Sequence, residues 1–195
     1  MTVKKGFDMR YSIRHMVILV GLGNPGAKYI HSRHNMGFQV VERLGQALLL
    51  ENWNEDKTCD SLVSRGEAAI LVKPQTFMNL SGTAVKALLK KYDYANLGKK
   101  DFHSLFLIYD DLDLEVGKYK VVFGSRPKMH NGVNDVVEKL GTDQFWHIRI
   151  GVDGRGGDRS TDPQEYVLSG FRDDEQILIE KVVDSIVELL KAKNS

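Results

Sequence analysis

Met16–Phe38 reads MVILVGLGNPGAKYIHSRHNMGF. Met16–Val20 holds no polar residue and includes the β-branched Val17, Ile18 and Val20. A short run that is continuously apolar rather than alternating is the pattern of a strand buried on both faces, as in a parallel sheet under helices. Gly21-Leu22-Gly23-Asn24-Pro25-Gly26 interrupts it, and Phe38, Val41, Leu44 and Leu48 then recur at helical spacing from near Asn35. Strand, loop and helix in this order predict an α/β unit. The loop matches G-x-G-x-x-G after a strand, the dinucleotide fingerprint. That fingerprint needs a helix to open inside the glycine loop, where its N-terminus meets a pyrophosphate. Here Pro25-Gly26 turns the chain instead, and no strand with a terminal acid follows at the required distance. The stretch does concentrate Asn24, Arg33, His34 and Asn35 between strand and helix.

Further along, Ser61–Arg65 and Glu67–Val72 predict a hairpin about Gly66. Gln75–Gly82 is a polar loop into a helix with Val85, Leu88 and Leu89 on one face, for which Asn79 or Ser81 is the candidate N-cap. Leu105–Tyr109 is a second buried strand, ending in Asp110-Asp111-Leu112-Asp113. Gly117–Phe123 predicts a more exposed strand, and His130-Asn131-Gly132 opens a helix through Val133, Val136, Val137 and Leu140. Phe145–Val152 is the last strong strand, with Arg149 alternating away from Ile148 and Ile150. Asp162-Pro163 marks a helix start, and an amphipathic helix runs from about Asp174 to Lys191. Strands alternate with helices without repeats or linkers. The expected fold is α/β, a single domain with a mixed, mostly parallel twisted sheet and helices on both faces.

A chain of 195 residues, 42% apolar and 27% charged, has the length and composition of one globular domain. The single cysteine, Cys59, excludes an internal disulfide. No apolar run is long enough to span a bilayer. Residues 1–33 carry six cations against Asp8 alone, while residues 160–195 carry four cations against eight acids. This asymmetry suits either a face that attracts a polyanion or ordinary solvated surface. Residues 1–15 form a basic extension before the domain of residues 16–195. The extension lacks an apolar core of the secretory kind and reads at most as a weak organelle-targeting segment.

No covalent nucleophile stands out: Cys59 has no supporting motif, and no G-x-S-x-G elbow occurs. The acids of Asp110–Asp113 could hold Mg²⁺, which keeps a metal-dependent phosphohydrolase open. His31 and His34 are three apart but lack the partners of a zinc site. What remains is His34, an acid at a strand end, and loop asparagines at positions 24, 79 and 131. A neutral histidine takes a proton from water near pH 7. A carboxylate on its other nitrogen fixes the tautomer, and amides hold the water or donate to an oxyanion. That set fits hydrolysis of an activated ester by direct water attack.

Four blocks carry a resemblance that spans the chain from Met16 almost to its end: VGLGNPGAKYIHSRHNMGF, VKPQTFMNLSG, IYDDLDLEVG and HNGVNDVVEKLGTDQFWHIRIGV. In this order they resemble the bacterial-type peptidyl-tRNA hydrolases. The resemblance implies cleavage of the ester between a peptide and the terminal ribose of tRNA, which recycles the tRNA. It implies His34 as general base, Asp110 as its orienting partner, and Asn24, Asn79 and Asn131 around water and ester. Tyr29 and Met78 would line the peptide groove. The acceptor stem and 3′ end would lie on Lys118, Lys120, Arg126, Lys128, His130 and Arg149. No cofactor, metal or membrane partner is implied, and the expected state is a monomer. Two positions depart from the family pattern. Gly124–Met129 replaces a glycine-rich run with a stiffer, more basic loop. Val122 stands where the family's 5′-phosphate clamp pairs a lysine with the position of Arg149, and Lys120 shares its face two residues away. The loop and the basic extension suggest a eukaryotic, mitochondrial member, so the expected compartment is cytoplasm or mitochondrion. A relative that binds RNA without catalysis is the other reading.

Overall fold

A computed structural model describes residues 2–3, 16–92 and 102–191. Apart from Thr2–Val3, the expectations for the extension of residues 1–15 lie outside the described residues. The strands are β1 (Thr2–Val3), β2 (Val17–Gly21), β3 (Asn54–Asp56), β4 (Ser61–Arg65), β5 (Ala69–Pro74), β6 (Phe102–Glu115), β7 (Tyr119–Phe123) and β8 (Phe145–Asp153). They form one sheet in the order β1-β7-β8-β6-β2-β5-β4-β3. The centre, β8-β6-β2-β5, is parallel, and β7, β4 and β3 join antiparallel to their inner neighbours. The helices are α1 (Met36–Ala47), α2 (Ser81–Lys91), α3 (Asn131–Leu140), α4 (Pro163–Leu168) and α5 (Asp173–Lys191).

The apolar run that opens the domain now divides by face. Leu19 on β2, with Phe106 and Ile108 on β6, packs with Val40, Val41 and Leu44 of α1 and Ile179, Val182 and Ile186 of α5. Ile18 and Val20, with Leu105, Leu107 and Tyr109, pack with Val85 and Leu88 of α2 and Val133 and Val136 of α3. Both faces of the central strands are therefore covered, which is why these strands are apolar at every position.

The glycines of the opening loop serve this packing. A methyl group added at Gly21 would lie 2.2 Å from the Gly37 carbonyl oxygen, and one at Gly37 would lie 2.2 Å from the Ile108 carbonyl oxygen. The end of β2 and the start of α1 thus touch backbone to backbone. Two 3-10 turns, Ala27–Tyr29 and Arg33–Asn35, fill the chain between them.

Three elements differ from their sequence reading. The polar strand β3 carries no alternation to announce it. β6 continues to Glu115, past the acids expected at its end. The expected Asn79 or Ser81 cap on α2 is absent, because a 3-10 turn, Met78–Leu80, runs straight into the helix and leaves Leu80 at the N-cap position. Asp135 of α3 takes over, its Oδ2 accepting the Gly82 N–H at 2.7 Å. It also brings negative charge to the positive end of α2.

Arg33 anchors the turn that precedes α1. Its guanidinium lies between the Tyr166 and Phe171 rings. It donates to the Val152 carbonyl at 3.1 Å and to Glu175 Oε2 at 2.6 Å. Both charges are buried. Glu175→Ala, which strands the guanidinium away from water, should lower unfolding stability in denaturant by about 3–5 kcal/mol. A loss below about 1 kcal/mol, the range of an exposed pair, would show that Arg33 needs no partner.

Candidate active site

The C-terminal half of β6 delivers Asp110 to the end of the sheet core, with its side chain 2% exposed. Both of its oxygens face His34 Nδ1, at 2.9 and 3.0 Å. His130 Nε2 lies 3.1 Å from Oδ1 of the same carboxylate. The opposite nitrogen of His130, Nδ1, accepts the Val133 N–H at 3.2 Å and so caps α3. A nitrogen that accepts carries no proton, so His130 is the neutral Nε2–H tautomer and donates to Asp110. An ionised Asp110 only accepts, which places a proton on His34 Nδ1 and leaves the lone pair on His34 Nε2. His34 keeps 12% of its side chain exposed.

Burial would by itself lower the His34 pKa, but the charge of Asp110 and the hydrogen bond to it outweigh burial, and the net shift is upward. For Asp110, burial acts to raise the pKa. The two imidazoles overcome it by charge and hydrogen bonding, and hold the carboxyl well below the usual carboxylate range.

Behind this trio lies a second buried polar pair that sequence reading missed. The Tyr109 hydroxyl is 2.9 Å from His147 Nδ1, and His147 Nε2 is 3.2 Å from the Asp143 carbonyl oxygen. The carbonyl can only accept, so His147 Nε2 donates and the Tyr109 hydroxyl donates to Nδ1. Burial, the largest influence, pushes the His147 pKa down to about 4. The Tyr109 ring stands edge-on to His130 at 5.0 Å. Inward-facing histidines on a strand look the same in sequence as any strand polar residue, and no pattern marks this one.

Asn24 is buried, and its Oδ1 accepts the Met78 N–H at 2.9 Å. That bond orients the amide and leaves Nδ2 as its free donor. Asn79 and Asn131 are exposed, one residue from Met78 and from His130 respectively, and among the described residues their amides make no hydrogen bond. The two loops meet, since a methyl group added at Gly132 would strike Met78 Sδ.

Several predicted binding residues have different surroundings from those expected. His130, assigned to substrate, has its side chain only 3% exposed and both nitrogens engaged, because it closes α3 and the Asp110 pair at once. Met78 is 5% exposed, so the neighbouring Phe77 and Leu80 present the exposed apolar surface there. Arg149 turns to Asp111, Nε to Oδ2 at 2.6 Å, and approaches Asp113 at 4.0 Å. Lys120 stands directly across from Arg149, and Val122 across from His147. Tyr29 is half-buried with Lys28 over its ring, while Arg126 and Lys128 are exposed.

His34, Asp110 and His130 bring ligand atoms within 4.8 Å of one another. A cation there would first have to displace the two ring protons that already bridge these groups. The acids proposed for Mg²⁺ diverge: Asp110 faces the imidazoles, Asp111 the guanidinium of Arg149, and Asp113 solvent.

Comparison with known proteins identifies the family. The family profile described as peptidyl-tRNA hydrolase matches residues 18–194. The chain belongs to the peptidyl-tRNA hydrolase family. It is 37% identical over 175 residues to the peptidyl-tRNA hydrolase of Thermodesulfovibrio yellowstonii, covering 89% of each chain. It is 38% identical over 176 residues to that of Geotalea uraniireducens, covering 89% of this chain and 87% of the other. The crystal structure of the Acinetobacter baumannii peptidyl-tRNA hydrolase superposes with a TM-score of 0.79 at 28% identity, over 92% of this chain and 88% of that one. These relatives are bacterial, in keeping with a bacterial-type family member. Among the described residues no helix is long and apolar enough to cross a membrane.

Because Asp110 raises the His34 pKa, the acid limb of any rate that needs neutral His34 should lie above 6.5, the ordinary histidine value. Asp110→Asn removes the charge but keeps the burial. It should bring the His34 pKa down, read by NMR titration of the ring, and slow turnover on the order of 10²-fold or more. An unmoved or raised His34 pKa would contradict the pairing.

Proposed function

We propose that the chain hydrolyses the ester linking a peptide to the terminal ribose of tRNA, with His34 as general base. The observation that carries this reading is the carboxylate of Asp110 held by two imidazoles, only one of which, His34, keeps a nitrogen free toward solvent. His34 Nε2 takes a proton from water as the oxygen attacks the ester carbonyl. The imidazolium that forms is stabilised by Asp110. Negative charge on the carbonyl oxygen is met by the Nδ2 donor of Asn24, whose amide the Met78 N–H holds in that sense. Asn79 and Asn131 hold the water and the ester from the rim. Collapse of the tetrahedral adduct expels the ribose oxygen, which recovers the proton from His34 and leaves free peptide and tRNA.

The peptide lies by Tyr29 and Met78 with the exposed Phe77. The acceptor stem and 3′ end lie along Lys118, Lys120, Arg126 and Lys128, with contacts mainly to phosphate. Arg149 serves this surface with its charge shared with Asp111, and Lys120 beside it supplies the cation that Val122 does not. A substrate produced by translation suits an enzyme of the cytoplasm or mitochondrion.

The test is release of peptide from an N-blocked aminoacyl-tRNA, with and without EDTA, by wild type and His34→Ala. The variant should lose turnover by at least about 10²-fold while its affinity for tRNA stays within about twofold, a difference of about 0.4 kcal/mol. Wild-type turnover should ignore EDTA. Substantial hydrolysis by His34→Ala, or loss with EDTA, would overturn the assignment.

A further inference from the structure

Asn35 immediately follows the proposed base and sits at the N-cap position of α1, where asparagine is among the preferred residues. It makes no cap there. Its side chain crosses instead to the glycine loop. Nδ2 donates to the Asn24 carbonyl at 3.0 Å, and Oδ1 accepts the Asn24 N–H at 2.9 Å. Ser32 Oγ adds a longer contact to the same Oδ1, at 3.4 Å. Asn35 is 2% exposed, so these bonds form away from water.

One carboxamide thus pairs with both polar groups of a single residue, as a neighbouring strand would. Such pairing needs Asn24 extended, with its N–H and C=O on one side. Pro25 enforces that conformation by excluding the helical region for the residue before it. Gly23 brings the loop close, since a methyl group there would lie 2.7 Å from the Phe38 ring. The Asn24 backbone is then held from the turn that carries His34, and its side chain is held from the Met78 N–H.

We infer that Asn35 is a positioning residue that sets the Asn24 amide in register with the His34 ring by clamping the Asn24 backbone to the turn bearing the base. The inference rests on the hydrolytic reading above and adds a group that touches neither substrate nor water. The forgone helix cap marks the cost of this arrangement: a capping asparagine contributes about 1 kcal/mol, and here its amide is spent elsewhere. Among the described residues the Asn35 side chain makes no hydrogen bond to Asp110, so removing its amide leaves in place the pair that sets the basicity of His34.

Two variants test this on the full chain, beside wild type and His34→Ala. Asn35→Ala removes both bonds. Asn35→Asp keeps the acceptor for the Asn24 N–H but sets a carboxylate against the Asn24 carbonyl. Each should lower kcat for peptide release by about 10- to 100-fold, the range expected when a reacting group is misplaced by an ångström or less. KM should stay within about threefold, and in Asn35→Ala the acid limb of the kcat profile should not move, since it reports His34 and Asp110; the new carboxylate of Asn35→Asp, one residue from His34, should shift that limb upward. Thermal melting establishes that each variant is folded; if Asn35→Ala fails to fold, Asn35→Asp carries the test. Wild-type kcat in a folded variant, or a lower melting temperature with kcat per folded molecule unchanged, overturns the inference. So does an acid limb that moves in Asn35→Ala. Failure of the hydrolytic reading itself would look different: wild type would release no peptide, or His34→Ala would match it.

Discussion

A single carboxylate between two imidazoles is the constraint around which this protein is arranged. Burying Asp110 would favour its neutral form, and burying a charge without partners is prohibitive. The two rings reverse that preference by different means. His130, neutral and committed to the first turn of α3, offers a fixed N–H. His34 offers its Nδ1 proton and, once charged, a full counter-charge. Asp110 is therefore held ionised by both rings, and because both nitrogens of His130 are already engaged, the ring it leaves ready to take a proton is His34. The asymmetry between the two histidines makes one a support and leaves the other a base.

The fold supplies this constraint economically. β6 carries the carboxylate, the turn before α1 carries His34, and the start of α3 carries His130. α1 and α3 pack on opposite faces of the sheet, so the two rings approach Asp110 from elements on opposite sides at the strand end. The glycine contact between Gly21 and Gly37 lets α1 begin against β2 itself. Arg33 ties the same turn to α5, and Asn35 ties it to the glycine loop. A resemblance to a nucleotide-binding loop is thus a consequence of close packing, with no helix N-terminus presented to a phosphate.

Much of this was legible because it is written in periodicity. Continuously apolar strands announced a sheet covered on both faces, and Ile179, Val182, Val183 and Ile186 announced α5. The blocks around His34, Asn79, Asp110 and Asn131 announced the family. Direction was not legible. Nothing in HNG distinguishes a histidine that meets substrate from one that turns inward to cap its own helix. Arg149 alternates out of the core as read, but its ion pair with Asp111 depends on a register between β6 and β8 that only the folded sheet sets. Asn79 looked like a cap because the 3-10 turn that displaces it has no signature. β3 was missed because an edge strand of exposed polar residues lacks the apolar alternation on which strand reading relies. Asn35 stood in plain view as a helix-start residue, and only the folded structure reveals that its amide points elsewhere.

The central claim is a statement about protons, and side-chain ¹⁵N NMR of the histidines reads them directly. At a pH above the His34 pKa, the account predicts the Nδ1–H tautomer on His34 and the Nε2–H tautomer on His130. A His34 found as the Nε2–H tautomer would leave no lone pair facing solvent, and would contradict the account at its root.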